Sequence, residues 1–379
     1  MRTIFQLTSI VLATTLLGCA GNKPISQNGS MPSLKKTFAD DFEIGTALNA
    51  EQIEEKDKAA TSLIAAQFNA ATPENIMKAE IIHPEWGRYD FRLADEMIAY
   101  GERKNIRING HTLIWHSQLP AFAQHIQSSD SFRQFFEDHI RTVAGRYKGK
   151  IFSWDVVNEA LNEDGSLRNS IFLQKMGPDY LTEAFRLAAE ASPGTELYYN
   201  DYNNEQPAKR AGCIALIKKI QDSGLRIDGV GIQGHWHLGK VPFDEIEASI
   251  LAYSALGLKV MITELDIEVL PRNFQGADVS ARQKADPSIN PYTNGLPDSV
   301  QQQLATDYAR LFQLFLKHKD KISRVTFWGV HDGQSWLNGW PVPGRTNHPL
   351  LFDRDLQGKP AFFRVVETKI KVPRVKKAF

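Results

Sequence analysis

The alternation of short apolar runs with longer amphipathic runs restricts the fold of this chain more than any other feature. From about residue 42 onward, a strand-like run is followed by a helix-like run roughly eight times. The strand candidates are residues 42–48, 68–77, 106–115, 151–157, 196–200, 229–234, 259–266 and 322–330. The helix candidates are residues 51–67, 93–104, 131–147, 180–191, 207–223, 243–256 and 299–318. Eight such units in about 340 residues predict a (β/α)8 barrel in a single domain.

An open, doubly wound α/β sheet is the alternative architecture with this alternation. It would carry a glycine-rich turn for a nucleotide after its first strand, and no such turn follows the first strand candidate. The barrel is therefore the prediction, and no cofactor is expected.

Charge composition limits the class of partner. The chain has 44 Lys and Arg residues against 44 Asp and Glu residues, without a basic stripe that would disturb this balance locally. A protein that binds nucleic acid presents a positive surface. The sequence therefore excludes a nucleic-acid partner and predicts a neutral one, and no protein partner is inferred.

The first 19 residues have the pattern of an export signal. One arginine precedes an apolar run over residues 4–17, and this run is too short to span a bilayer comfortably. Residues 16–19, Leu-Leu-Gly-Cys, resemble the lipobox of bacterial lipoproteins, in which the cysteine is acylated and becomes the first residue of the mature protein. The alternative is a simple secretory signal in which Cys19 is incidental.

The lipobox predicts three segments. Residues 1–19 form a lipoprotein signal with Cys19 as the lipidation site, residues 20–40 form a flexible tether, and residues 41–379 form the barrel. The chain is then expected to be exported and held at a membrane of the bacterial cell envelope by a lipid on Cys19. Because Ala20 rather than aspartate follows the cysteine, the outer membrane is favoured.

Polar side chains collect at the C-terminal ends of the strand candidates, which is where barrel enzymes hold their functional residues. These ends cover residues 72–75, 110–116, 157–159, 200–203, 233–235, 264–266 and 327–332. Strand alternation puts Gln233 and His235 on one face of their strand, and Glu264 and Asp266 on one face of theirs. A second glutamate, Glu159, ends another apolar run. The pattern predicts a polar site around one mouth of the barrel.

Two glutamates among amides, histidines and indoles suit glycoside hydrolysis. In that reaction one carboxyl group protonates the leaving oxygen, while the other attacks the sugar or activates water. Indoles offer flat apolar faces to sugar rings, and Trp328, Trp336 and Trp340 cluster in one loop.

A metal-dependent hydrolase is the chemical alternative. His235 and His237 have the spacing of a metal-binding pair on a strand, and His111, His116 and Asp266 could complete the set. The two glutamates and the abundance of indoles favour carbohydrate, so no metal ligand is predicted.

From about residue 42 to its C-terminus the chain closely resembles the family 10 glycoside hydrolases, chiefly endo-β-1,4-xylanases. The resemblance rests on residues 68–69, 72–75 with 77–78, 110–118, 154–159, 199–203, 233–235, 262–266 and 327–329. The pair Asn158 and Glu159 alone would indicate only the wider clan, which includes cellulases and mannanases. Eight segments in the same order are specific to the family.

The resemblance implies a retaining endo-β-1,4-xylanase that cuts internal bonds of xylan and xylo-oligosaccharides. Glu159 would be the general acid and base, and Glu264 the nucleophile. Asn158 would hydrogen-bond the 2-hydroxyl group of the sugar at the nucleophile. His235, held by Asp266, would keep Glu264 ionised and oriented.

The same resemblance implies the substrate contacts. On the non-reducing side and at the cleavage-side sugar they are Glu74, Asn75, Lys78, His111, Trp115, Gln118 and Gln233. Trp328 and Trp336 would cap the non-reducing side and disfavour a hydroxymethyl group, so that xylose is preferred to glucose. Tyr202 and Asn203 would face the leaving group.

Two segments depart from the family pattern. Residues 331–334 read His-Asp-Gly-Gln where many relatives carry Thr-Asp, and the polar loop over residues 269–298 is not a uniform feature. One hypothesis is that this loop shapes the subsites at the non-reducing end. A glycan-binding lipoprotein without catalysis is the functional alternative, although a pure binder has no use for the acid and the nucleophile together.

Overall fold

The computed structural model describes residues 31–370 with the exception of Gln275. Its strands are β1 (Glu43–Leu48), β2 (Ala70–Pro73), β3 (Arg107–Trp115), β4 (Ser153–Asn158), β5 (Glu196–Asp201), β6 (Gly229–Ile232), β7 (His235–His237), β8 (Lys259–Glu268) and β9 (Ile322–Phe327). All the strand pairings are parallel, and β1 pairs with both β2 and β9, which closes the sheet. Both β6 and β7 pair with β8, so they are two halves of one barrel strand. The predicted (β/α)8 barrel is confirmed.

Helices cover the outside of this barrel. They are α1 (Leu34–Thr37), α2 (Ala50–Ile53), α3 (Lys58–Gln67), α4 (Ala79–Ile82), α5 (Arg92–Lys104), α6 (Ala121–Gln124), α7 (Ser129–Arg146), α8 (Ile171–Met176), α9 (Tyr180–Ala191), α10 (Pro207–Asp222), α11 (Phe243–Ser254), α12 (Asp298–Lys317) and α13 (Pro360–Ile370). Single 3-10 turns occur at Pro287–Ile289, Asp332–Gln334 and Trp336–Asn338. Over the described residues, no helix has the length and apolar character that crossing a membrane requires.

The predicted helix over residues 51–67 is two helices. Glu55 adopts a left-handed conformation with φ of 54°, which ends the first helical turn. Asp57 then caps α3, because its carboxylate accepts hydrogen bonds from the amides of Ala59 and Ala60 at 2.9 and 3.1 Å. The break follows from local backbone and capping chemistry, which the apolar period does not reveal.

The folded part of the chain begins earlier than the predicted tether boundary at residue 40. Leu34 and Phe38 are completely buried, and the ring of Phe38 packs on Phe42 and Phe312. The amide of Leu34 also donates to the side chain of Gln67 at 2.9 Å. Residues 34–38 therefore belong to the barrel rather than to a tether, whereas Cys19 and the predicted signal lie outside the described residues.

Packing inside the barrel holds β3 and β4, two strands with polar C-terminal ends, against each other. Trp154 on β4 is completely buried and lies across Gly110 on β3, where an added Cβ atom would come within 2.1 Å of the indole. Only glycine allows this close approach. Trp154 is thus a packing residue, and it holds together the two strands that end near Trp115 and Glu159.

Candidate active site

The C-terminal ends of the strands converge on one cavity that contains both glutamates. Its lining residues are Lys78, His111, Trp115, Asn158, Glu159, Gln233, His235, Glu264, Ala277, Val279, Trp328 and Trp336. All of these except Ala277 and Val279 were site residues predicted from the sequence. The fold therefore brings together side chains from six strand ends and two loops.

Glu159 follows β4 in a left-handed conformation, with φ of 56°. Such a conformation is uncommon for a residue other than glycine and is held in place by its surroundings. Here the amide of Glu159 donates to the carbonyl of Asn200 at 2.9 Å, and the Nε atom of Arg168 donates to the carbonyl of Glu159 at 3.1 Å. The turn aims the carboxyl group into the cavity instead of along the strand.

Three neutral donors surround the Glu159 carboxyl group. The indole of Trp115 donates to Oε2 at 2.8 Å, and the amides of Gln233 and Asn158 lie 3.1 and 3.2 Å from Oε1. The residue is 5% exposed. This carboxyl group is positioned by hydrogen bonds and has no cation within salt-bridge distance among the described residues.

Glu264 has a charged environment instead. Its Oε2 atom lies 3.2 Å from Nε2 of His235, and the Nδ1 atom of His235 lies 3.0 Å from Asp266. Burial lowers the pKa of His235, but the two carboxylates outweigh this and raise it to about 10. Burial raises the pKa of Glu264, and the hydrogen bond from His235 with the electrostatic effect of His111 and His235 brings it below its usual value. Glu264 is therefore held ionised.

Asn200 is a site residue that the sequence analysis did not single out. Its Nδ2 atom donates to Oε1 of Glu264 at 2.8 Å and to Oδ1 of Asn158 at 2.9 Å, while Thr263 donates to its Oδ1 atom at 2.7 Å. Asn200 is completely buried at the end of β5. Its place beside Asp201 at a strand end was the available signal, and its link to Asn158 on β4 and Glu264 on β8 arises only in the fold.

Lys78 connects the cavity to its rim. Its Nζ atom lies 4.7 Å from the centre of the Trp115 ring and donates to Asn75 at 2.9 Å. Burial lowers the pKa of Lys78, and the carboxylates of Glu264, Glu74 and Glu159 oppose that effect.

Glu74, Asn75 and Gln118 lie outside the enclosed part of the cavity. Glu74 is half-buried, and burial raises its pKa. Asn75 is exposed, and Gln118 donates to Glu80 at 2.7 Å from a left-handed backbone conformation. These side chains are available at the mouth of the barrel.

Tyr202 and Asn203 form a second rim near Glu159. The hydroxyl group of Tyr202 accepts from Arg168 at 2.9 Å, and burial raises its pKa to about 12. Asn203 donates to Glu163 at 2.9 Å. Arg168 therefore joins this rim to the backbone of Glu159.

Aromatic rings close the opposite side of the cavity. Trp328 packs edge-on against His111, with ring centres 5.4 Å apart. Trp336 donates from its indole to Asp266 at 2.8 Å and stacks on Trp340 at 4.6 Å. Trp340 is buried, so it supports Trp336 from behind rather than lining the cavity.

The loop over residues 269–298 contacts both the rim that contains Tyr202 and the aromatic side of the cavity. Near its start Arg272 lies over the Trp340 ring at 4.8 Å, behind Trp336. Further along, Asp278 lies 3.4 Å from Arg168, and Ala277 and Val279 line the cavity. The loop therefore borders the rim that contains Tyr202 as well as the side that contains Trp336, and its effect on the subsites at the non-reducing end stays a prediction.

The histidines of the alternative metal set have other partners. His111 lies 3.0 Å from Asp155, and His235 lies between two carboxylates. His237 accepts a hydrogen bond from Arg272 at 2.6 Å. Among the described residues, no group of three His, Cys, Asp or Glu side chains is arranged to hold a metal ion.

Comparison with known proteins decides the family. The model of glycosyl hydrolase family 10 matches residues 33–368. The chain belongs to glycosyl hydrolase family 10. It is 41% identical to endo-1,4-beta-xylanase A of Xylanibacter ruminicola over 96% of this chain and 99% of that protein.

Solved structures of family 10 agree with this assignment. A GH10 endoxylanase retrieved from a sugarcane soil metagenome superposes with a TM-score of 0.85 at 43% identity, covering 88% of this chain and 99% of that one. A mutant protein solved in complex with xylotriose gives a TM-score of 0.79 at 34% identity, covering 89% of this chain and 100% of that one. As a family 10 member, the chain is a glycoside hydrolase.

Proposed function

We propose that this family 10 enzyme is a retaining endo-β-1,4-xylanase that hydrolyses internal bonds of xylan and xylo-oligosaccharides. The endo-1,4-beta-xylanase of Xylanibacter ruminicola, related over almost its whole length, supports the substrate class. The complex of a structural neighbour with xylotriose supports it independently. No cofactor is needed, because the carboxyl groups of the chain supply the chemistry.

The observation that carries this proposal is the difference between the two carboxyl groups. Glu264 is paired with the cationic His235, which favours a carboxylate ready to attack. Glu159 meets only neutral donors, from Trp115, Gln233 and Asn158. Glycosidases separate the roles of their two carboxyl groups through such differences in environment.

The proposed reaction has two steps. In the first, Glu159 gives its proton to the glycosidic oxygen while an oxygen of Glu264 bonds to the anomeric carbon and the leaving sugar departs. In the second, Glu159 takes a proton from water, whose oxygen displaces Glu264 and restores the starting configuration. Asn200 and His235 hold Glu264 in place during both steps. Asn158 is assigned to the 2-hydroxyl group of the sugar.

The remaining side chains are assigned to binding. Lys78, His111, Trp115 and Gln233 would contact the sugar at the nucleophile and its non-reducing neighbour, with Glu74, Asn75 and Gln118 at the rim. Trp328 and Trp336 enclose this end and leave little room for a hydroxymethyl group. Tyr202 and Asn203 would contact the leaving group.

Azide rescue of alanine variants tests the assignment of roles. In Glu159→Ala, azide should attack the glycosyl-enzyme and yield a β-xylosyl azide. In Glu264→Ala, azide should replace the missing nucleophile and yield an α-xylosyl azide. Product configuration read by proton NMR distinguishes the two, and wild-type release of reducing sugar from xylan distinguishes catalysis from glycan binding alone. Exchange of the two configurations would reverse the roles.

We also propose that the enzyme is exported and anchored in the bacterial cell envelope, favouring the outer membrane, through a lipid on Cys19. This rests on the signal-like pattern of residues 1–19. Expression with labelled palmitate should label the wild-type chain and leave Cys19→Ala unlabelled. An unlabelled wild-type chain would contradict the anchor and leave the catalytic proposal untouched.

A further inference from the structure

A second cavity lies on the outside of the barrel, between the segment after α4 and the helix α7. Its volume is about 170 Å³, and its walls include His83, Trp86, Tyr89, Asp138 and Thr142. Its described lining residues are all different from those around the two glutamates. Ligand pockets commonly measure roughly 300–1,000 Å³, so this cavity suits one ring of a longer ligand.

A tight turn displays Trp86 at the edge of this cavity. Glu85 and Arg88 pair as an antiparallel bridge, and their side chains form two hydrogen bonds of 2.8 and 2.7 Å that close the turn. Trp86 remains 47% exposed. Its ring is nevertheless oriented, because it packs edge-on against Phe122 with centres 6.0 Å apart. The turn thus presents a fixed indole to solvent.

Few large hydrophobic side chains are exposed in the described part of the chain. Of the three large hydrophobic side chains exposed in the described part of the chain, two are Ile81 and Trp86, and the third is Leu251 on α11. Single exposed hydrophobic residues are ordinary on protein surfaces. An exposed indole that borders a cavity with polar walls is the arrangement that needs an explanation.

A buried polar atom in the cavity wall lacks a partner. His83 is 2% exposed and stacks on Tyr89 at 4.0 Å, and burial lowers its pKa to about 4, so the ring is neutral. Its Nδ1 atom lies 3.3 Å from Nδ1 of His139, whereas its Nε2 atom has no hydrogen-bond partner among the described residues. Such groups are normally satisfied.

The neutral histidine pair defines the chemistry that would satisfy this atom. If Nδ1 of His83 donates to His139, its Nε2 atom is an acceptor, and if Nδ1 accepts, Nε2 is a donor. The Nε2 atom is enclosed, so a ligand reaches it only when the ring of His83 moves, and a hydroxyl group then meets either case, since it both donates and accepts. Asp138 and Thr142 add further hydrogen-bonding groups to the wall. An indole face beside hydroxyl-directed groups is suited to a sugar ring.

We infer that this cavity is a secondary binding site for a xylosyl unit of the polysaccharide, separate from the active site. The inference rests on the proposed xylan substrate. Its position supports the same ligand, because α4 begins directly after the active-site residue Lys78 and Trp86 follows the end of that short helix. A bound chain at Trp86 would keep xylan near the mouth of the barrel that contains Lys78.

The test compares binding of polymer with hydrolysis of a short substrate. In a Glu159→Gln background, which leaves xylan intact, affinity electrophoresis in gels containing soluble xylan gives the dissociation constant of the full chain. Adding Trp86→Ala should weaken binding roughly two- to tenfold, the effect of losing one aromatic contact. In the background that retains Glu159, Trp86→Ala should keep the kcat and KM of wild type on a chromogenic xylobioside, which occupies the active site alone.

Two further variants keep the result decisive. Leu251→Ala removes an exposed hydrophobic side chain of another helix and should bind xylan as the parent does. Thr142→Val keeps the shape of the cavity wall but removes its hydroxyl group, so it should also weaken binding. This variant keeps the test possible if Trp86→Ala fails to fold. Unchanged xylan binding in the folded Trp86 and Thr142 variants would overturn the secondary site. A wild-type chain inactive on both xylan and xylobioside would instead overturn the proposed function.

Discussion

His235 and His237 lie two residues apart on β7, on the same face of the strand, yet their electrostatic surroundings are opposite. His235 lies between the carboxylates of Glu264 and Asp266, which raise its pKa to about 10 against the effect of burial. Burial lowers the pKa of His237 to about 3, and the positive charge of Arg272 acts in the same direction. One histidine is therefore a cation, and the other is neutral.

The strand β8, which pairs with β7, also has acidic residues in two different electrostatic environments. Glu264, Asp266 and Glu268 alternate along one face of β8, and the register pairs His235 with Asp266 and His237 with Glu268. Glu268 is buried and binds Arg345 at 2.7 Å and Arg272 at 3.0 Å. The inner acids Glu264 and Asp266 both contact the cationic His235, whereas the outer acid Glu268 is paired with arginines. One strand with a repeating acidic pattern thus places Glu264 in the cavity and Glu268 in a buried ion-pair cluster outside it.

The strongest test of this contrast is to neutralise Glu264 and Glu268 in turn. Glu264→Gln keeps the shape of the side chain but removes the proposed nucleophile, so we expect kcat on an aryl xylobioside to fall by at least about 10⁴-fold. Glu268→Gln should keep kcat within about tenfold of wild type, because Glu268 does not line the cavity. Near-normal turnover by Glu264→Gln would remove Glu264 from the nucleophile role.

Stability should respond in the reverse order. Glu268→Gln leaves two buried guanidinium groups without their carboxylate, and we expect the free energy of unfolding to fall by about 3 kcal/mol. The matched control is Glu190→Gln, whose ion pairs with Arg141 and Arg186 are exposed; it should leave the free energy of unfolding almost unchanged, because exposed ion pairs are screened by solvent. Urea unfolding at neutral pH measures both. Equal losses in the two variants would show that burial does not distinguish these ion pairs.

The alternation of apolar and amphipathic runs predicted the barrel and the ends of its strands. Burial gives each kind of element its own pattern of apolar residues, with a period of two in strands and a wider apolar stripe in helices. The alternation could not separate His235 from His237, which have the same local pattern. Both rings are buried, so the difference comes from the carboxylates beside His235 and from Arg272 and Arg345 near His237. The two arginines approach from a loop and from the segment after β9. Contacts between segments so far apart in the chain have no local signal.

The apolar and polar pattern of the sequence also does not reveal backbone geometry. Gln118, Glu159 and Asn203 all have positive φ, and each stands where a strand end turns toward the substrate side. The position of Asn200 between Asn158 and Glu264 also depends on three strands meeting at one height in the barrel. Residue types were therefore predictable, whereas their directions required the fold.

The two histidines should also differ in catalysis. His235→Gln removes the cation beside Glu264, so the pKa of that carboxyl group should rise and the acid limb of the kcat/KM profile should move up by about one to three pH units. We expect a fall in kcat of roughly 10²-fold at the optimum. His237→Gln, with an amide oxygen that can still accept from Arg272, should leave the profile in place. A shifted profile in His237→Gln would mean that the outer cluster controls the nucleophile.

The smallest expected effect is on the pH dependence of stability, and it has opposite signs at the two positions. The pKa of His237 is about 3 in the folded chain and about 6.5 when unfolded, so the unfolded chain binds more protons and stability falls as the pH drops below 6.5. The pKa of His235 is about 10 when folded, so its contribution is complete below about pH 6.5 and is lost as the pH rises toward 10.

Each effect should reach about 1 kcal/mol one pH unit from 6.5. Urea unfolding at pH 5.5, 6.5 and 7.5 measures it as the difference between variant and wild type. His237→Gln should lose less stability than wild type between pH 6.5 and 5.5, because the variant has no histidine at this position whose protonation the folded state opposes. His235→Gln should lose less between pH 6.5 and 7.5. Parallel curves for the two variants would contradict the assignment of one cationic and one neutral histidine on the same strand.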